Sequence, residues 1–217
     1  MRELILVHGL WVPGFVMKPL AARLGRAGFR CHIFSYFGAA RPMAGHVERL
    51  ARFAREIGPA HFVGHSLGGL LTLETFRRHP EIAAGRVVLL GTPARGSFAG
   101  RRFARYRVGR WLFGHSAEYW PERVPESRAA ESRPAARWAR PEALGVIAGS
   151  LPLGLGRAFG RLPGVNDGAV CLDETSVEGM ADQVVLPVGH SAMLVSARVA
   201  VQIVAFLSDG KFSENSL

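Results

Sequence analysis

Several features that would indicate other classes of protein are scarce or missing in this sequence. No apolar run approaches the roughly 18 residues that a transmembrane helix needs. Cys31 and Cys171 are the only cysteines, and each lies beside an apolar run, which favours buried reduced thiols over a disulfide. No group of Cys and His residues has the spacing of a zinc site, so we expect neither a metal nor a cofactor. Since the first residues lack the basic start of a secretory signal, we expect a cytoplasmic protein, or a mature form whose signal was removed.

Acidic residues are also scarce, because 27 Lys and Arg face only 17 Asp and Glu and give a net charge of +10. Most of the excess lies in residues 95–140, which hold eleven arginines, four glutamates and eight aromatic residues. We favour a cap over an apolar pocket, with its arginines facing water, and expect no nucleic-acid partner. The alternative is a peripheral contact of this basic cap with an anionic membrane. The sequence indicates no oligomeric state.

Strand and helix patterns alternate along most of the chain. Strands are predicted at residues 3–8, 30–36, 61–64, 86–90, 144–148 and 183–188, and helices at 16–27, 45–57, 67–79 and 191–207. This alternation predicts a single α/β domain over residues 1–217, with a doubly wound, mostly parallel sheet of about six strands. The long break in the pattern predicts a cap or lid insertion at about residues 94–142.

The pattern Gly-x-Ser-x-Gly occurs once in a suggestive place, at residues 64–68, with Ser66 at its centre. Alone the pattern is weak, and a plain glycine-rich turn between a strand and a helix is the alternative. Here it lies between an apolar strand and an apolar helix, where a sharp turn exposes the serine at the carboxyl end of the sheet. Small residues at Gly64 and Gly68 leave room for that turn. We therefore predict that Ser66 is a nucleophile.

The order of these motifs resembles the α/β-hydrolase superfamily, in particular its compact bacterial lipases and esterases. His8-Gly9 at the end of the first strand is similar to the His-Gly element that those enzymes carry there. The resemblance implies that the backbone N–H groups of Leu10 and Leu67 form an oxyanion hole. It also implies that His8 has a structural role and is not the base.

A serine nucleophile needs a base, and the base needs a carboxylate that orients it. His190 follows the last predicted strand, which is where the resemblance places the catalytic histidine. His65 lies next to Ser66, and we expect its side chain to point elsewhere. The context of Asp167 resembles the acid loop of small lipases, and Asp173 is the alternative acid.

These residues predict a serine hydrolase that cleaves carboxylic esters through an acyl-enzyme on Ser66. Leu10, Trp11, Phe15 and the aromatic residues of the cap suggest an apolar acyl pocket and a small or lipid-like ester substrate. An acyltransferase or a thioesterase would use the same residues. A non-enzymatic protein that binds membranes or polyanions through the basic cap is the third hypothesis.

Overall fold

The computed structural model describes residues 1–10, 12–37, 42–104, 137–153 and 162–214. Its centre is a six-stranded sheet in which every neighbouring pair of strands is parallel. In chain order the strands are β1 (Glu3–Val7), β2 (Arg30–Phe34), β3 (Ala60–His65), β4 (Ala84–Leu90), β5 (Leu144–Gly149) and β6 (Asp182–Leu186). Their spatial order is β2-β1-β3-β4-β5-β6. The connections after β1 and β3 therefore leave in opposite directions, which opens a crevice between the carboxyl ends of these two strands.

Helices cover both faces of the sheet. In chain order they are α1 (Lys18–Arg26), α2 (Met43–Ile57), α3 (Leu67–Arg78), α4 (Phe98–Ala104) and α5 (Ala197–Asp209). Side chains alternate along each strand, so Ile5 packs with α2 and α3 on one face while Leu4 packs with α1 and α5 on the other. The inner strands β1, β3, β4 and β5 have consecutive buried residues, so they show continuous apolar runs in the sequence, whereas the edge strands β2 and β6 are only partly buried. The predicted α/β fold, with its doubly wound sheet, is confirmed.

The last helix differs from its prediction. Residues 191–207 were expected to form one helix, but the chain forms a 3₁₀ turn at Ser191–Leu194 and starts α5 only at Ala197. Ser196 has extended backbone angles, and its hydroxyl accepts a hydrogen bond from the N–H of Val199 at 3.3 Å. Ser196 is therefore the N-cap of α5, and the 3₁₀ turn before it is a separate element. Apolar periodicity alone does not reveal such an interruption.

The predicted insertion lies partly outside the described residues. Of residues 94–142, the structure describes 94–104, which include α4, and 137–142. Residues 137–142 are held by Arg140, which donates to the carbonyls of Pro80 and Ile82 and lies over the ring of Phe76. Both cysteines are free thiols, as expected. Within the described ranges, no helix has the length and apolar character needed to cross a membrane.

Candidate active site

Ser66 occupies the single residue between β3 and α3. Its backbone has φ 54° and ψ −122°, and it is the one non-glycine residue with positive φ in the described part of the chain. A non-glycine residue in such a conformation costs about 1–3 kcal/mol, which the surrounding structure must offset. Part of that support is the bond from the Ser66 N–H to the carbonyl of Leu90, at 2.9 Å. The turn places Ser66 at the carboxyl end of the sheet and at the N-terminus of α3.

The glycines around Ser66 allow this turn to pack closely. A methyl group added to Gly68 would lie 2.3 Å from the carbonyl oxygens of Val7 and His8, and one on Gly64 would lie 2.6 Å from the Cα atom of Gly69. Both contacts are with backbone, which cannot move aside cheaply. The need for small residues on both sides of Ser66 therefore has a direct steric cause.

His8 holds the loop that follows β1. Its Nδ1–H donates to the carbonyl of Gly9 at 2.8 Å, and its Nε2 accepts from the N–H of Tyr36 at 3.1 Å. One nitrogen donates and the other accepts, so the ring is neutral, and burial lowers the pKa of His8. His8 therefore fills the structural role that the resemblance implied.

The backbone donors predicted for the oxyanion hole lie on the two segments that flank Ser66. Because the C=O and N–H of one trans peptide point in opposite directions, the bond from His8 to the Gly9 carbonyl aims the Leu10 N–H away from the His8 ring. A methyl group on Gly9 would lie 3.1 Å from the Cβ atom of Ser66, so this loop lies against the serine. Leu67 is the first residue of α3, where backbone N–H groups have no partner within the helix.

Asp167 and His190 are brought together from separate loops. The Nδ1 atom of His190 lies 2.7 Å from Oδ2 of Asp167, whose side chain is 1% exposed. The other carboxylate oxygen of Asp167 accepts from the backbone N–H groups of Ala169 and Val170, at 2.9 Å and 2.7 Å. The two backbone bonds thus hold Oδ1 in place, and Oδ2 faces the imidazole.

Asp173, the alternative acid, takes no part in this contact. It is exposed in the 3₁₀ turn Leu172–Glu174. Its neighbour Glu174 is partly buried, and its carboxylate accepts from the backbone N–H groups of Cys171 and Phe98. Burial raises the pKa of Glu174 despite these two bonds. Glu174 therefore joins the acid loop to α4, at the start of the insertion.

His65 connects the serine turn to the loop of His190. Its Nε2 lies 3.1 Å from the backbone carbonyl of His190, and the two rings have centroids 4.7 Å apart. The His65 ring thus points elsewhere than the Ser66 hydroxyl, as expected, and contacts the loop of His190 instead. In the described residues, no hydrogen bond joins Ser66 Oγ to the His190 ring, and such contacts often form only with substrate bound.

Sequence reasoning also missed Gly91 and Glu174. Gly91 follows β4 with φ +50°, and a methyl group there would lie 2.8 Å from Oδ2 of Asp167 and 3.0 Å from Nδ1 of His190. Its position directly after a buried strand was a signal, because parallel strands bring their carboxyl ends to one edge. For Glu174 the sequence carried no signal, since its partner Phe98 is far away along the chain.

The residues expected to form an apolar pocket are only partly described. Trp11 and residues 105–136 lie outside the described residues, while Trp138 packs on Phe76 in the core. Six exposed, large apolar side chains follow the carboxyl ends of strands, and we call them the apolar rim: Phe15, Phe37, Leu151, Leu153, Val165 and Val195. The backbone of Leu153 lies against Gly168 and Gly189, the neighbours of Asp167 and His190.

Metal ligation finds no support in the described part of the chain, where no group of three or more His, Cys, Asp or Glu side chains could hold an ion. The described residues near Ser66 include the imidazoles of His65 and His190 and the buried carboxylate of Asp167.

Comparisons with solved structures show the same fold. The lipase BlEst2 of Bacillus licheniformis in its mature form superposes with a TM-score of 0.73 at 18% identity, over 95% of this chain and 91% of that one. A meta-cleavage product hydrolase of Pseudomonas fluorescens, CumD, gives a TM-score of 0.65 at 17% identity, over 97% of this chain and 92% of that one.

Comparisons of sequence point the same way. A putative carbamate hydrolase, RutD, of Serratia proteamaculans is 32% identical over 111 residues, which are 46% of this chain and 41% of that protein. The match thus spans less than half of that relative. The model of the alpha/beta hydrolase family matches residues 4–200. Since this match covers most of the chain, the protein belongs to the alpha/beta hydrolase family.

Proposed function

We propose that this protein is a serine hydrolase that cleaves carboxylic esters through an acyl-enzyme on Ser66. The observation that carries the proposal is the Asp167–His190 pair, 2.7 Å apart, on the loops beside the strained turn of Ser66. A strained serine at a helix N-terminus, next to a histidine backed by a buried carboxylate, is the arrangement that nucleophilic acyl transfer requires.

The first step forms the acyl-enzyme. Since Nδ1 of His190 is engaged by Asp167, Nε2 is the nitrogen available to take the proton of Ser66 as its Oγ attacks the ester carbonyl. The new C–O bond gives a tetrahedral oxyanion. Collapse of this intermediate breaks the bond to the alcohol, and the imidazolium of His190 returns its proton to the departing oxygen.

The oxyanion is stabilised by backbone donors. The Leu10 N–H is aimed by the bond from His8 to the Gly9 carbonyl, and the Leu67 N–H lies at the first turn of α3. One such donor is typically worth about 3 kcal/mol of transition-state stabilisation. The positive end of the α3 dipole adds to this effect.

The second step releases the acid. His190 takes a proton from water, the resulting hydroxide attacks the acyl carbonyl, and Ser66 leaves with the proton that His190 then gives back. Asp167 stabilises the imidazolium in both steps. No cofactor or metal enters this sequence of bonds.

The apolar rim favours a substrate whose acyl or alcohol part is apolar. Leu151, Leu153 and Val165 lie beside the acid and histidine loops, while Phe15 and Phe37 follow β1 and β2 on the other side. When the apolar part of a substrate covers such surface, the free energy of binding becomes more favourable by about 25 cal/mol for each Å² removed from water.

The test is labelling with a fluorophosphonate, followed by mass spectrometry of the modified peptide, together with turnover of a short-chain p-nitrophenyl ester. We expect a single adduct on Ser66 and no labelling or turnover in Ser66→Ala. Ser208→Ala is the matched control, because Ser208 is exposed on α5, away from the site. Normal turnover by Ser66→Ala would overturn the proposal.

Other acyl chemistry is distinguished by products. A transferase would pass the acyl group to an added alcohol in preference to water, and a thioesterase would favour a thioester over the matching oxygen ester. A carbamate belongs in the same panel because of the name of the RutD relative. Absence of labelling, with salt-sensitive retention on anionic liposomes, would instead favour a binding role for the basic segment.

A further inference from the structure

His65 lies between the turn of the nucleophile and the loop of the base. Its side chain is 4% exposed, and its Nε2 lies 3.1 Å from the backbone carbonyl of His190. On its other side, a methyl group added to Gly9 would lie 3.1 Å from Nδ1. The ring therefore fills the space where the loops after β1, β3 and β6 meet.

The hydrogen bond fixes which nitrogen of His65 carries the proton. A carbonyl oxygen only accepts, so Nε2 must be the donor. Nδ1 then carries the lone pair, and it is buried without a hydrogen-bond partner among the described residues. Burial, reinforced by the charge of a protonated His190, lowers the pKa of His65 to about 3. At neutral pH the ring is an uncharged donor that faces one fixed acceptor.

The contact completes the support of His190. The backbone N–H of His190 donates to the carbonyl of Asp167 at 2.9 Å, and its Nδ1 pairs with Oδ2 of the same residue. Both of these bonds hold His190 from the side of the acid. His65 supplies the bond from the side of the nucleophile, at the carbonyl where the 3₁₀ turn Ser191–Leu194 begins.

We propose that His65 is a positioning residue, whose Nε2–H holds the backbone of His190 and sets the angle between the His190 imidazole and Ser66. This role rests on the acyl-enzyme function proposed above. Without the donor, the His190 carbonyl loses the bond that joins it to the end of β3, and the backbone that carries the imidazole is held less firmly on that side. Small errors in the placement of a catalytic group reduce the rate far more than they reduce substrate binding.

The test compares side chains that do and do not reach the carbonyl. His65→Leu keeps much of the volume and removes the donor, whereas the amide of His65→Gln reaches about as far as Nε2. His65→Asn is polar but too short. With a p-nitrophenyl ester we expect kcat to fall about tenfold or more in the Leu and Asn variants, with KM within about twofold. In His65→Gln we expect kcat within about fivefold of wild type.

His61→Leu is the matched control. His61 is also buried on β3, at the opposite end of the strand, and its Nδ1 accepts from the N–H of Arg86 at 2.8 Å. Loss of that bond perturbs the same strand without touching His190, so kcat should stay near that of wild type. A similar fall in kcat for His61→Leu would show that general weakening of β3 is the cause, and would overturn the positioning role.

Two further outcomes would overturn it as well: kcat in His65→Asn within about twofold of wild type, or equal losses in the Gln and Asn variants. The Asn and Gln pair keeps the test decisive if His65→Leu does not fold. Failure of the proposed function would look different, because the wild-type protein itself would then show no fluorophosphonate adduct on Ser66. A wild-type adduct with unchanged His65 variants would reject the positioning role alone.

Discussion

Asp167 holds His190 through both its side chain and its backbone. Oδ2 lies 2.7 Å from Nδ1 of the imidazole, and the Asp167 carbonyl accepts the backbone N–H of His190 at 2.9 Å. Two bonds between the same pair of residues fix both the position of the ring and its rotation. In the function proposed above, this geometry holds the imidazole ready to accept a proton from Ser66.

Replacing Asp167 by asparagine should reduce kcat about a thousandfold or more. The amide oxygen can keep the bonds from the N–H groups of Ala169 and Val170, which turns the amide nitrogen toward His190. The imidazole must then carry its proton on Nε2, where it cannot accept the proton of Ser66. Ester turnover and the rate of fluorophosphonate labelling both measure this loss.

Asp173→Asn is the control for that variant. Because Asp173 is exposed and takes no part in the contact with His190, its kcat should stay within about twofold of wild type. A large loss in Asp173→Asn with full activity in Asp167→Asn would identify Asp173 as the acid.

Gly91→Ala should damage activity by steric pressure on the same pair. The added methyl would lie 2.8 Å from Oδ2 of Asp167 and 3.0 Å from Nδ1 of His190, at a backbone φ of +50°. We expect kcat to fall at least tenfold and the free energy of unfolding to fall by about 1 kcal/mol or more.

Gly45→Ala provides the comparison for Gly91. Gly45 lies in α2, and nothing lies within 4 Å of an added methyl group. This substitution should leave kcat unchanged and raise the free energy of unfolding by about 0.5–1 kcal/mol, as measured by urea denaturation. Equal kcat in both variants would contradict the steric argument.

Much of the fold could be predicted because its signals are local. Apolar runs gave all six strands to within a few residues, and the glycines around Ser66 marked the one sharp turn between β3 and α3. The start of α5 was missed because the cap at Ser196 interrupts an apolar pattern that continues across it.

The site was less predictable, because its contacts join distant parts of the chain. The motif indicated Ser66, and the sequence around Asp167 favoured it over Asp173 by resemblance alone; in the folded loop the Asp167 carboxylate is buried and Asp173 is exposed. The contact of His65 with His190 spans 125 positions of sequence. Such a contact depends on strand order, which residue spacing does not encode.

Leu153→Ser should weaken the use of long acyl chains. Leu153 is 59% exposed and lies beside the loops of Asp167 and His190. An apolar acyl chain that covers it should bind more favourably by about 1 kcal/mol of binding free energy. We expect kcat/KM for a p-nitrophenyl octanoate to fall about fivefold, with the acetate ester unchanged. Val201→Ser removes an equally exposed side chain, 59%, from α5 and should change neither substrate. If Leu153→Ser reduces both esters equally, the apolar rim does not select chain length.

The buried ring of His65 should make the fold less stable in acid. Its pKa is lowered from 6.5 to about 3 in the folded protein, so between these values the unfolded chain binds a proton that the folded chain does not. Stability therefore falls as pH decreases from about 6.5 toward 3, by up to about 1.4 kcal/mol for each pH unit. Neither His65→Leu nor His65→Gln can take up that proton. The free energy of unfolding, measured with urea at pH 7 and at pH 5, should fall between the two pH values in all three proteins. The fall should be about 2 kcal/mol smaller in both variants than in wild type. Groups such as His8 and Glu174 contribute equally to all three proteins, so an identical loss in each would show that His65 ionises normally in the folded state.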